Sequence, residues 1–280
     1  MIRRPFRPPF LESFSGMTAA INYCAGIWEK RYFWMSLVHV DLRRRYRRSM
    51  FGIGWSLMHP VAMTAVFCLV FCAMPQWAEP LATYAPYVLS GLVFWSFVTG
   101  TTTDGCQCFY LGENYIRQQP MPLAIYPLRA TLGVATHLLL GMVMLLLMVW
   151  VVQGPKNLLY LWSVVPALAI IFALAWSVAI CLGVMNVIFP DTQHLVQLAM
   201  QAAFYTTPVF YRPTMLPERL RWLSNWNPLA ACLELIRAPV LDAQLASWNA
   251  WGLAIAATCL AATAAVFTLS KVEKRLVFSL

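Results

Sequence analysis

Along most of the chain, apolar runs long enough to cross a bilayer alternate with short breaks marked by polar residues or proline. A membrane helix needs roughly 20 mostly apolar residues to cross about 30 Å of hydrocarbon, and this length predicts spans at residues 51–74, 84–103, 128–152, 158–184, 195–210 and 248–269. Gly52, Gly54 and Pro60 predict a kinked or closely packed start to the first span. The fifth is short, and Pro208 interrupts its end.

The segments between and before these runs differ in kind. Residues 1–27 read as a cytosolic tail, and residues 28–49 as an interfacial helix. In that helix Trp28, Tyr32, Met35, Val38, Leu42 and Tyr46 recur at spacings of three and four, with Arg43, Arg44, Arg47 and Arg48 on the other side. Such a helix is either a surface anchor or a lintel at the mouth of a path, and the pattern is common to both. Residues 104–127 carry Asp104, Gly105, Gly112, Glu113 and Asn114 before Pro120, Pro122 and Pro127, which is too polar for lipid and predicts a cytosolic segment. Residues 211–247 alternate Pro213, Pro217, Pro228 and Pro239 with Trp222, Trp226, Leu229, Leu233 and Leu235. Neither a plain loop nor a full span fits that alternation. Short helices that enter the membrane and return do fit, because protein or water can satisfy their backbone groups. The predicted architecture is an all-α membrane protein, a single unit over residues 1–280, with six spans, the interfacial helix and an external re-entrant segment.

Composition agrees with the pattern: 60% of the 280 residues are apolar and 11% are charged, against roughly 45–50% and about 25% in soluble domains. The net charge of +9 would suit nucleic acid, but ten of the 20 basic residues lie between Arg3 and Arg48, ahead of the first span. Their position sets orientation instead. Fifteen basic residues fall on the side of the termini and five opposite, which predicts cytosolic termini. Residues 1–11 lack a following apolar stretch and cleavage site, so no removable signal peptide is expected. The eight cysteines form no CxxC pair and read as buried hydrophobes.

The chemistry that is missing narrows the function. There is no GxxxxGK[ST] loop, GxSxG elbow or HExxH pair, so no catalytic residue, metal site or cofactor is assigned. His137, among leucines, is expected to make an interhelical hydrogen bond. Asp41, Asp104, Glu113, Asp191 and Glu273 all map to the cytosolic side, which leaves no carboxylate near the bilayer centre for an ion relay. No internal repeat supports a transporter built from inverted halves. Energy must therefore come from another chain. Aromatic residues make up 14% of the sequence. Trp55, Phe67, Phe71, Trp95, Tyr205, Phe210 and Tyr211 are candidates to line a path for a substrate that slides on flat surfaces, or else serve as interfacial belt anchors.

Three blocks carry a resemblance. Asp41-Leu42, Arg45-Tyr46, Ser49, Phe51-Gly52, Trp55 and Pro60 form the first. Asn114-Tyr115-Ile116-Arg117 with Pro120 and Pro122 forms the second. Tyr205, Thr207-Pro208-Val209, Tyr211, Leu216-Pro217, Asn227-Pro228 and Arg237-Ala238 form the third. In order and spacing these resemble the membrane subunits of ABC-2 type transporters that export bacterial polysaccharides such as O-antigen, teichoic acid and capsule. The sequence departs from that family at Pro190-Asp191, where an Arg-Asp pair is usual, and at His59, where an amide is common.

The resemblance implies a homodimer in the bacterial inner membrane, in contact with lipid. Two separate ATPase subunits would bind the ATP and magnesium, and the substrate would be an undecaprenyl-linked polysaccharide. It further implies that Gly112, Glu113, Asn114, Tyr115, Ile116, Arg117 and Gln118, with Asp191, couple to the ATPase; the bland alternative is a solvated loop. Arg43, Arg44, Arg45, Tyr46, Arg47 and Arg48 would form a cytosolic gate that attracts the substrate's phosphates. Export of a drug or simple lipid is the neighbouring alternative, and a membrane-embedded glycosyl- or acyltransferase the alternative of another class.

Overall fold

The computed structural model describes residues 23, 25–47, 49–74, 79–118 and 121–279, with side chains as far as residue 272. Its helices are α1 (Arg31–Tyr46), α2 (Trp55–Phe71), α3 (Leu81–Gln118), α4 (Ile125–Gln153), α5 (Val164–Ile188), α6 (Thr192–Thr206), α7 (Arg221–Asn225), α8 (Pro228–Val240) and α9 (Trp248–Ser279). The described residues contain no strand. Five helical stretches are long and apolar enough to cross a membrane, those of α2, α3, α4, α5 and α9. The fifth span expected from the sequence is the 15-residue α6, which rises only about 22 Å at 1.5 Å per residue.

α3 is the axis of the bundle. In its apolar window 67% of the residues are buried inside the chain, against 17–33% in the other four, whose outward apolar faces are left for lipid. α2, α4, α5, α6 and α8 all pack on α3, while α9 packs on α5 and α8 and α1 on α4. Close approach depends on small residues where lipid offers no hydrophobic drive. At the crossing of α3 and α5, a Cβ added at Gly105 would stand 2.9 Å from Ala179.

The core divides by level. One cluster (Phe94, Phe97, Leu138, Leu145, Leu233, Ile236) fills the half around α8. A second (Phe109, Ile116, Tyr126, Ile180, Val184, Leu269) fills the half around the end of α3.

α3 continues as helix through residues 104–118, without a break at Thr103 where the expected span ends. Nothing between Thr103 and Gln118 breaks a helix, and Glu113 and Arg117 pair at 2.8 Å with the i,i+4 spacing that supports one. α3 stops two residues short of Pro120, whose ring disfavours helix in the residue before it. In α1, Tyr32 and Met35 are exposed while Leu37 and Val38 are buried, and Asp41 reaches Arg129 on α4. α9 runs ten residues past 269, where the expected membrane span ends.

The turn between α1 and α2 explains part of the first block. Gly52 adopts φ +53°, a backbone state that side chains resist, and its N–H donates to Ser49 Oγ at 3.2 Å.

Candidate functional site

A broken segment of backbone organises the site. α6 ends at Thr207, whose φ −97° and ψ 135° are extended, as the following Pro208 requires. The next carbonyls have no helical partners, and in a membrane interior each such orphan is expensive. Side chains supply donors to four in a row. Arg237 Nη1 donates to Pro208 O at 2.6 Å and Nη2 to Val209 O at 2.6 Å. Tyr84 Oη donates to Phe210 O at 3.0 Å, and Tyr87 Oη to Tyr211 O at 2.8 Å.

Arg237 is buried, and it also donates to Ser90 Oγ at 3.0 Å and to Tyr87 O at 3.0 Å. Asn227 ties the far side: its Nδ2 donates to Thr207 Oγ1 at 2.9 Å, and its Oδ1 caps α8 by accepting from Leu229 N at 2.9 Å. Beside the break, Arg212 Nε and Nη2 donate to the two oxygens of Glu79 at 2.6 and 3.0 Å. Those bonds hold the Arg212 guanidinium above its ordinary pKa.

Below the break, α3 and α6 diverge to leave a cleft of about 400 Å³, lined by Trp95, Thr99, Thr103, Gln197, Met200, Gln201, Phe204 and Tyr205. None of these is ionisable below the tyrosine range. Gln197, Gln201 and Tyr205 follow one another at i,i+4 along α6, so one helix face carries two amides and a phenol.

The aromatic candidates meet here through a residue the sequence reading missed. Phe204 lies 5.5 Å from Trp95, 5.4 Å from Tyr205 and 5.6 Å from Phe210, ring centre to ring centre. Phe210 in turn stacks on Phe67 at 5.1 Å and meets Phe71 at 5.8 Å. Six of the seven proposed lining residues thus touch one aromatic run, but they differ in exposure. Tyr205 is 69% exposed and Trp95 only 9%. Tyr211 is buried, with its hydroxyl bonded to Tyr205 O at 3.0 Å. Trp55 stands apart, packed edge-on against Phe51 at 5.4 Å.

At the other end of the bundle, α1 is tied to α3 and α4. Arg129 makes a two-pronged pair with Asp41. Arg45 Nη2 lies 3.9 Å from Asp104 Oδ2. Tyr46 Oη lies 3.3 Å from His137 Nε2, the interhelical bond expected of that histidine. With Arg44 and Gln107 the charged members frame a second cleft of about 310 Å³. Of the proposed gate residues, Tyr46 is half-buried, Arg43, Arg44, Arg45 and Arg47 are exposed, and Arg48 lies outside the described residues.

The proposed coupling residues share this end. Gly112 lies under the Tyr126 ring, which a Cβ there would meet at 2.4 Å. Ile116 is buried, Tyr115 meets Phe33 edge-on at 5.9 Å, and Asn114 and Gln118 are exposed. Asp191 is exposed at the start of α6. Its turn is held to α3 by Asn186, which donates to Cys106 O at 2.9 Å and accepts from Gln193 N at 3.2 Å. Among the described residues no group of three or more His, Cys, Asp or Glu is placed to hold a metal.

Residues 32–241 match the ABC-2 type transporter family. The chain belongs to that family. Over 200 residues it is 26% identical to an O-antigen export system permease protein RfbA of Klebsiella pneumoniae, covering 70% of this chain and 75% of that one. An RfbA protein of Myxococcus xanthus is 25% identical over 215 residues, with 76% and 81% covered. The polysialic acid transport protein KpsM of Escherichia coli is 17% identical over 202 residues, with 72% and 78% covered. The ABC-2 match takes in α1 to α8, and so contains both clefts and the broken segment.

Proposed function

We propose that the chain is the membrane subunit of a bacterial inner-membrane exporter of lipid-linked polysaccharide, working as a pair of identical copies. ATP and magnesium would be bound by two separate ATPase subunits. The observation that carries this reading is the uncharged cleft between α3 and α6, where aromatic rings and amides stand side by side. Amides and hydroxyls turned outward from a helix within the membrane region need water or a polar ligand. Sugars satisfy both halves of such a wall, since their hydroxyls pair with amides and their flat CH faces rest on aromatic rings. The names of the relatives, O-antigen export permease and polysialic acid transport protein, favour the same substrate class.

In this reading α6 is the sixth span, completed by the extended segment after Thr207, and the termini are cytosolic. α8 is the returning arm of a re-entrant pair: it begins beside Thr207, where Asn227 is bonded, and ends at Val240, whose carbonyl accepts from Asn157 in the turn after α4. α1 sits at the cytosolic interface as a gate, with Arg44 and Arg45 at the cleft where the undecaprenyl-linked phosphates arrive. The exposed parts of residues 112–118 and Asp191 meet the ATPase. The test is export in a strain lacking its own exporter, given this chain, its ATPase partner and a lipid-linked polysaccharide pathway. Surface polysaccharide should appear only with both proteins. Surface polysaccharide without the ATPase, or none with both, would refute the reading.

A further inference from the structure

We infer that the cleft between α3 and α6 selects uncharged glycans over polyanionic ones, a deepening that rests on the reading of the chain as a polysaccharide exporter subunit. The face of an aromatic ring is electron-rich and its edge electron-poor. Trp95, Phe204 and Tyr205 therefore favour the weakly positive CH faces of neutral sugars and repel a carboxylate or phosphate that comes over the ring. Gln197 and Gln201 both donate and accept, matching a hydroxyl at either role without a fixed charge. An anionic repeat unit entering the cleft would lose part of its hydration and gain no cation in exchange.

The neighbouring charges do not supply one. At the upper end, Arg212 is held by both oxygens of Glu79, and Arg237 is buried with its donors committed to Ser90 and three carbonyls. At the lower end, Asp104 follows Thr103 and lies 3.9 Å from Arg45, while Arg129 is held by Asp41, so those guanidiniums lie outside the cleft and face carboxylates. The cleft between them is lined by uncharged side chains alone.

The experiment uses the complete transporter, this chain with its ATPase partner, in proteoliposomes. Two undecaprenyl-pyrophosphate-linked oligosaccharides of equal length are supplied, one of neutral hexoses and one with a hexuronate at every second position. The neutral chain should cross roughly tenfold faster, the factor that about 1.4 kcal/mol supplies. Gln201→Lys, which places a cation in the cleft, should narrow that ratio by raising uronate transport. Equal or faster crossing of the uronate chain overturns the inference while leaving the exporter reading in place. An unchanged ratio in a Gln201→Lys protein that still moves the neutral chain also overturns it. If neither chain crosses with ATP, the exporter reading falls and takes this inference with it.

Discussion

The guanidinium of Arg237 lies 3.6 Å from the centre of the Tyr87 ring and donates to the carbonyl of the same tyrosine at 3.0 Å. One arginine thereby joins α8, α3 and the broken segment after α6. Replacing it with lysine keeps the charge but loses the fork, so one ammonium must serve acceptors spread over two elements. Each buried carbonyl left alone costs about 1–3 kcal/mol. Arg237→Lys and Arg237→Met should both lower the melting temperature of the detergent-purified protein, Met more so, with loss of export. An Arg237→Met protein as heat-stable as the parent would contradict the assigned role.

Gly91 tests the same junction by size alone. A Cβ there would stand 2.2 Å from Val209 O and 2.7 Å from Arg237 Nη2, and overpacking of a rigid backbone contact costs typically 1–3 kcal/mol. Gly91→Ala should reduce folded yield in the membrane. Gly133→Ala, with nothing within 4 Å of the added carbon, should not. Yields measured by fluorescence-detected size exclusion compare the two directly.

The attachment of α1 is open to a charge-swap experiment. Asp41→Ala or Arg129→Ala breaks a two-pronged, charge-assisted pair, the kind of bond that contributes about 1.5–3 kcal/mol. Each should loosen α1, read as faster proteolysis or deuterium uptake across residues 31–46. The double variant Asp41→Arg with Arg129→Asp should restore part of the protection. Failure of the swap to restore any protection would show that the two single effects are unrelated to the pair.

Transport and ATP hydrolysis should separate at the cleft and join at the far end of α3. Tyr205→Ala, which removes the most exposed ring of the aromatic run, should cut polysaccharide export several-fold while basal ATP hydrolysis by the assembled complex stays near the parent. Glu113→Ala with Arg117→Ala removes the ion pair at 2.8 Å and should instead weaken co-purification of the ATPase. Normal co-purification and export in that double variant would remove residues 112–118 from the docking surface.

Apolar runs located the starts of the five membrane-length helices to within a few residues, because the bilayer demands a length that is visible in one dimension. Pro208 announced the end of α6 for a similarly local reason. The side chains that repair that break were less legible, since Tyr87 and Arg237 lie 150 residues apart and nothing in local pattern couples them. The ties of α1 were illegible on the same ground, since Asp41 meets Arg129 88 residues further on and Arg45 nears Asp104 only in the fold. The polar stripe of Gln197, Gln201 and Tyr205 was readable, as amides four apart in a predicted span, and would have pointed to the cleft. Phe204 had no such signal and emerged only from ring-to-ring distances.

The unbroken run of α3 has a mechanical consequence. From Tyr87 to Gln118 no proline intervenes, so the rod has no built-in hinge between the arginine-stapled corner and the surface proposed to meet the ATPase. A lever about 48 Å long, tipped by 10° about its midpoint, swings each tip by about 4 Å. A push delivered at one tip therefore arrives at the other as motion in the opposite direction, widening one mouth as it narrows the other.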